Sequence, residues 1–143
     1  MTIHMVARGL LTVEQLHAIH TDLCARLQAA GVRLEAIYYC PHHPDDGCAC
    51  RKPQAGLVVR AAADLGLDLS RSYVVGDQTR DVELARRIAA RSVLVTTGPT
   101  SLESVASLKA EGIAADTVAS SLGDAVDWIV EDVKTRSSST VNR

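Results

Sequence analysis

Three of the four cysteines, Cys40, Cys48 and Cys50, lie within eleven residues of chain beside His42 and His43. Written out, Cys40-Pro41-His42-His43-Pro44-Asp45-Asp46-Gly47-Cys48-Ala49-Cys50 is a C-x-H element, a five-residue spacer and a C-x-C element. Thiolate and imidazole are the ligands Zn²⁺ prefers, and four of them close a tetrahedral site with no position left for a reactive water. Cys40, His42, Cys48 and Cys50 are therefore expected to hold a structural zinc ion rather than a catalytic one. On spacing alone His43 can replace His42. The competing reading is a loop of reduced, unliganded thiols or an adventitious disulfide, and a reducing compartment disfavours the disulfide. Cys24 stands apart, next to Leu23 and Leu27 on the apolar side of a helix, and is expected to be a buried structural cysteine.

Two further groups suit phosphate chemistry. Arg51-Lys52-Pro53 follows the cysteine loop directly. An Arg offers phosphate a bidentate fork and a Lys a point charge, although a solvated basic pair reads the same way. Downstream, Val74-Val75-Gly76-Asp77-Gln78-Thr79-Arg80-Asp81 ends an apolar, strand-like run in Gly and delivers Asp77 at its carboxyl tip. A carboxylate so placed holds Mg²⁺, which takes one or two carboxylates and keeps phosphate and water as its other ligands. Equally, Asp77 caps the turn and Asp81 favours the positive end of the following helix.

The elements that must position these groups alternate in type. Thr12 to Ala30 reads as an amphipathic helix, with Val13, Leu16, Ile19, Leu23 and Leu27 at steps of three and four. Thr12 and Gln15 form a capping-box start, and Gly31 is the stop. Leu34 to Tyr39 is of strand type, Gly56 to Leu65 helical, Ser72 to Val75 a strand, Thr79 to about Ala90 helical, and Ser92 to Thr96 a buried strand. Leu102 to Ala110 and Leu122 to Lys134 are helices on either side of a short edge strand, Asp116 to Ala119. The last helix is expected to turn Val126, Ile129, Val130 and Val133 to the core. Such alternation with short connections implies βαβ units, hence an α/β fold with a parallel sheet and helices on its faces. One domain is expected over residues 1–136, with 137–143 as a disordered tail.

Composition limits what such a domain does. Among 143 residues, 15 Lys+Arg stand against 17 Asp+Glu and 47% are hydrophobic, as in soluble globular proteins. The longest stretch without a charged side chain is Ser92 to Leu102, eleven residues, against the roughly 20 that a bilayer-spanning helix needs. No membrane span is expected, no secretory leader opens the sequence, and a cytoplasmic location follows. There is no Lys/Arg block and only 3% of residues are aromatic, so neither counterion release nor base stacking favours a nucleic-acid partner.

Taken together, C-P-H-H-P-D-D-G-C-A-C-R-K-P and V-V-G-D-Q-T-R-D resemble the haloacid dehalogenase-like phosphatases. The resemblance is to the zinc-containing branch with the D,D-heptose 1,7-bisphosphate 7-phosphatases and the histidinol-phosphate phosphatases, and it spans about Val6 to Trp128. It implies a Rossmann-like three-layer sheet and Mg²⁺-dependent removal of the 7-phosphate of D-glycero-D-manno-heptose 1,7-bisphosphate, a small phosphorylated sugar, through an aspartyl-phosphate. It also implies Cys40, His42, Cys48 and Cys50 as zinc ligands, Arg51 and Gln78 as substrate contacts, Lys52 as the cation that steadies the transferring phosphoryl group, and Asp77 as the Mg²⁺ ligand. Cys50-Arg51-Lys52-Pro53-Gln54-Ala55-Gly56-Leu57 is nearer the heptose branch, although Gln78 stands where many of those relatives carry a basic residue. The family's nucleophile and acid are the two Asp of a D-x-D element at the tip of the first strand. No D-x-D precedes Thr12 here, and the first Asp is Asp22. The sequence is thus expected to lack the first two strands of a 3-2-1-4-5 sheet, to be an N-terminally truncated phosphatase, and to be inactive as it stands. The alternatives are a non-catalytic zinc module that binds phosphate or a partner, and a histidinol-phosphate phosphatase fragment.

Overall fold

Residues 6–98, 101–110 and 112–140 are described by the computed structural model. The chain divides into two compact units, Met1–Gly66 and Leu67–Arg143.

In the first unit, helix α1 (Val13–Ala29) starts at Thr12, whose Oγ1 accepts the Gln15 N–H at 3.1 Å while Gln15 Oε1 accepts the Thr12 N–H at 2.8 Å. This reciprocal pair satisfies backbone donors that a helix start otherwise leaves open. Along α1 only Leu16 is buried; Ile19, Leu23 and Cys24 are exposed, so Cys24 is not the core cysteine the sequence suggests. Among the described residues this unit holds no strand, and an apolar helix stripe without a sheet to pack on stays open. Leu34–Tyr39 likewise makes no strand ladder. A strand exists through its inter-strand hydrogen bonds, and no described neighbour supplies them. Side chains fix the segment instead. Tyr38 OH donates to Asp64 Oδ2 at 2.9 Å, Tyr39 OH lies 3.1 Å from His17 Nε2, and the His20 ring sits 5.7 Å from the Tyr39 ring. Cys40 follows directly and is buried. Helix α2 (Gly56–Leu65) ends at Gly66, at φ +65.

The second unit is an α/β layer structure, as the alternation of elements predicts. It runs β1 (Tyr73–Gly76), α3 (Thr79–Arg87), β2 (Arg91–Val95), α4 (Ser101–Ala110), β3 (Thr117–Ala119) and α5 (Leu122–Thr140). The strands are parallel in the order β1-β2-β3, with Val75 opposite Val93 and Leu94 opposite Val118. Side chains alternate across β2. Leu94 packs with Val82 of α3 and Leu108 of α4, while Val93 and Val95 pack with Ala119 and with Ala125 of α5.

Two helices depart from expectation. Helix α3 stops at Arg87, because the Ala90 N–H turns back to Ala85 O at 3.0 Å and Ala89 takes φ +55. Helix α5 presents Ala125, Trp128 and Ile129 to the core, and Val126, Val130 and Val133 are about half exposed. Its rotation is set by polar groups. Asp132 accepts from Tyr73 OH at 2.6 Å and from Arg91 at 2.8 Å, and the Arg91 guanidinium lies 5.1 Å over the Trp128 ring. The helix also continues past Ser137, with the Ser138 hydroxyl donating to Lys134 O at 3.0 Å and Arg136 to Ser70 O at 3.1 Å. Residues 141–143 of the expected tail lie outside the described residues. No helix among the described residues is long and apolar enough to cross a membrane.

Candidate metal and phosphate site

The loop after Leu34–Tyr39 draws four side chains to one point. Cys40 Sγ lies 3.4 Å from Cys48 Sγ and 3.0 Å from Cys50 Sγ, and Cys48 and Cys50 are 3.4 Å apart. His42 Nδ1 is 3.5 Å from Cys40 Sγ and 3.1 Å from Cys50 Sγ. All four ligand atoms fall within 4.8 Å of one another. Ligands about 2.3 Å from a tetrahedral zinc ion stand about 3.8 Å apart, close to these separations, whereas a disulfide needs about 2.05 Å. The cysteines are free thiols, and the donor set fits zinc.

The spacer decides between the two histidines. His43 is used locally: its N–H donates to Asp46 Oδ2 at 2.7 Å and its Nδ1 accepts the Asp45 N–H at 3.4 Å. These bonds start a 3₁₀ turn at Pro44–Asp46, which Gly47 ends at φ +60. With His43 bound into the turn, His42 reaches the thiols.

Charge in the cluster is uneven. Burial pushes the Cys48 thiol up, but hydrogen bonds from Cys50, Cys40 and the backbone of Cys50 and Arg51 outweigh it and bring Cys48 down to about 7. Burial pushes Cys50 up to about 12, with hydrogen bonds and charge from Cys40 and Cys48 adding to it. A thiolate formed at one position keeps its neighbour protonated, and a bound cation removes that conflict.

The loop closes onto α2. Gly56 N–H donates to Ala49 O at 3.0 Å, and a Cβ at Gly56 would lie 2.5 Å from that oxygen and 3.2 Å from Cys50 Cα. Glycine is therefore required there by contact, a feature the sequence reading passed over. Between these anchors, Gln54 N–H donates to Arg51 O at 2.8 Å. In the turn that this bond closes, Arg51 is half-buried and Lys52 exposed.

In the second unit Asp77 stands just beyond β1, half-buried, with no hydrogen-bond or ion-pair partner among the described residues. An unmatched, half-buried carboxylate at the carboxyl end of a parallel strand suits Mg²⁺, which Asp77 would hold. Asp81 is 4% exposed and its Oδ2 accepts the Gln78 N–H at 3.2 Å. The Gln78 side chain, expected to meet substrate, accepts a hydrogen bond from Arg80 Nε. Gln78 thus orients Arg80, a cation beside Asp77 in sequence that the motif reading left without a role.

A model of the HAD-hydrolase-like family matches residues 49–125. The chain is 42% identical over 93 residues to D-glycero-beta-D-manno-heptose-1,7-bisphosphate 7-phosphatase of Pseudomonas aeruginosa, covering 65% of this chain and 52% of the relative. It is 37% identical over 134 residues to the corresponding 7-phosphatase of Thermosynechococcus vestitus, covering 86% and 68%. The crystal structure of D,D-heptose 1,7-bisphosphate phosphatase from B. bronchiseptica, complexed with magnesium and phosphate, superimposes with a TM-score of 0.79 at 34% identity, over 90% of this chain and 70% of that one. Several of the curated relatives are matched over only about half their length, 52% in the Pseudomonas case. With a family model that covers more than half of its residues, and with this parallel α/β sheet, the chain belongs to the HAD-hydrolase-like family.

Proposed function

We propose that this chain is the zinc-loop and metal-binding part of a Mg²⁺-dependent sugar-phosphate phosphatase whose substrate is D-glycero-D-manno-heptose 1,7-bisphosphate. The observation that carries the reading is the Cys₃His cluster running straight into Arg51-Lys52, a sequence of functions that a generic α/β domain has no reason to contain. Zinc held by Cys40, His42, Cys48 and Cys50 fixes the loop, since four protein ligands leave no site for a reactive water. Arg51 recognises the substrate phosphate through its fork, and Lys52 offsets the charge of the transferring phosphoryl group. Asp77 would hold Mg²⁺, which would supply positive charge to offset that of the phosphate. Both compact units belong to one phosphatase domain on this reading, working in the reducing cytoplasm where free thiols persist.

Phosphoryl transfer needs a carboxylate nucleophile and an acid for the leaving alkoxide. The 143 residues place no D-x-D ahead of α1, and Asp22 lies within that helix, ion-paired to Arg26 at 2.7 Å. On these residues alone the expected behaviour is phosphate binding without transfer. The test incubates the zinc-loaded chain with Mg²⁺ and either heptose 1,7-bisphosphate or histidinol phosphate, and follows binding and phosphate release. The heptose bisphosphate binds the tighter of the two, and Arg51→Ala weakens it about tenfold or more, the worth of a charge-assisted hydrogen bond. No phosphate is released. Turnover that vanishes in Asp77→Asn would overturn the non-transferring reading, and preference for histidinol phosphate would reassign the substrate.

A further inference from the structure

Gly98 follows β2 in the segment Thr96-Thr97-Gly98, 21 positions beyond Asp77. A Cβ placed on Gly98 would lie 2.7 Å from both Cβ and Cγ of Asp77, and nearer still to Oδ2. Real Cβ atoms do not make such contacts. The backbone at Gly98 is not left-handed, unlike Gly47 and Gly66, so a positive φ is not what calls for glycine there. The three atoms nearest such a Cβ all belong to the Asp77 side chain. A related seat exists at Gly76, where a Cβ would lie 2.6 Å from Asp81 Cβ, but Asp81 is also held by the Gln78 N–H. Asp77 has no such donor among the described residues, which leaves the Cα of Gly98 as the wall against which its carboxylate is set.

We infer that Gly98 is a positioning residue for the divalent cation: its bare Cα sets the rotamer of Asp77, and any side chain there turns the carboxylate away from the ion. The inference rests on the Mg²⁺ reading of Asp77. It carries a selectivity consequence. Mg²⁺ demands near-octahedral geometry with oxygens at about 2.0–2.1 Å, whereas Ca²⁺ accepts irregular ligands at about 2.3–2.6 Å. A displaced Asp77 therefore penalises Mg²⁺ more than Ca²⁺.

The test titrates Mn²⁺ into the zinc-loaded chain, follows the free ion by electron paramagnetic resonance, and uses Mg²⁺ and Ca²⁺ as competitors. Gly98→Ala is expected to weaken Mg²⁺ by about 10- to 100-fold, the usual effect of disturbing a ligand's support, with a smaller loss for Ca²⁺. A parallel cycle measures unfolding of Gly98→Ala in the natural and Asp77→Gly backgrounds. The glycine at 77 removes the three nearest clashing atoms, so Gly98→Ala is expected to destabilise mainly when Asp77 is present, and Asp77→Gly to restore the variant if it fails to fold. Gly98→Ala that binds Mg²⁺ as wild type does, or shows equal cost in both backgrounds, would overturn the inference while leaving the metal reading intact. Unchanged Mn²⁺ binding in Asp77→Asn would overturn the metal reading and the inference with it.

Discussion

His42 and His43 are neighbours with the same side chain, yet only His42 Nδ1 reaches the thiols, because His43 spends its ring nitrogen and its N–H on the turn at Pro44–Asp46. This division of labour gives a sharp prediction. His42→Ala reduces bound zinc well below stoichiometry, and His43→Ala, which removes only a turn contact, keeps it; metal analysis of the two purified variants separates them. Retention of zinc by His42→Ala with loss in His43→Ala would exchange the two roles. Spacing could not make this choice, since His42 and His43 both lie within three residues of Cys40. Nor did it identify Gly56 or Gly98, whose necessity lies in the atoms opposite them and leaves no local mark in the sequence.

At the scale of elements, the end of α3 is a Schellman-type closure with alanine where glycine is customary: Ala90 N–H to Ala85 O at 3.0 Å, Ala89 N–H to Arg86 O at 3.3 Å, and Ala89 at φ +55. A left-handed L-residue costs about 1–2 kcal/mol, and glycine returns part of that gain as unfolded-state entropy. Ala89→Gly is expected to stabilise the protein by about 0.5–1 kcal/mol in denaturant unfolding; destabilisation would refute the strained closure. At the start of α5, hydrogen bonds from the Ser120 and Ser121 hydroxyls hold the Asp124 carboxyl below its ordinary value of 3.8. A depressed folded value means stabilisation that is fully present above pH 3.8 and lost as pH falls through the lowered value. Melting temperatures of wild type and Asp124→Asn should therefore differ near neutrality and converge in acid; a constant gap would contradict this. The alternation of strands and helices was legible because β2 and the helices beside it carry strong apolar patterns. The missed features are those in which a partner decides the outcome. Leu34–Tyr39 has a strand's composition but no ladder, and α5 is rotated by Asp132 meeting Arg91 and Tyr73, a polar contact that a count of valines does not see.

For the molecule as a whole, the division of roles follows from what the residues can and cannot supply. The first unit carries the Cys₃His cluster and the Arg51-Lys52 pair, and the second carries Asp77 at the end of a parallel sheet; zinc, phosphate and Mg²⁺ are the ligands we propose for them. Neither offers a D-x-D ahead of Asp22. Mixing the chain with Mg²⁺ and heptose bisphosphate should accordingly protect it against thermal unfolding by ligand linkage, without consuming substrate. Everything assigned to the phosphate rests first on the loop being a closed metal centre. The most direct measurement is the metal content of the purified 143-residue chain together with the absorption of its Co²⁺-substituted form. About one zinc per chain and the intense visible bands of a tetrahedral cobalt ion with three thiolates and one imidazole are the predicted result. A chain that purifies with its thiols free and takes up neither metal, or one in which two of Cys40, Cys48 and Cys50 are joined as a disulfide, would contradict the account.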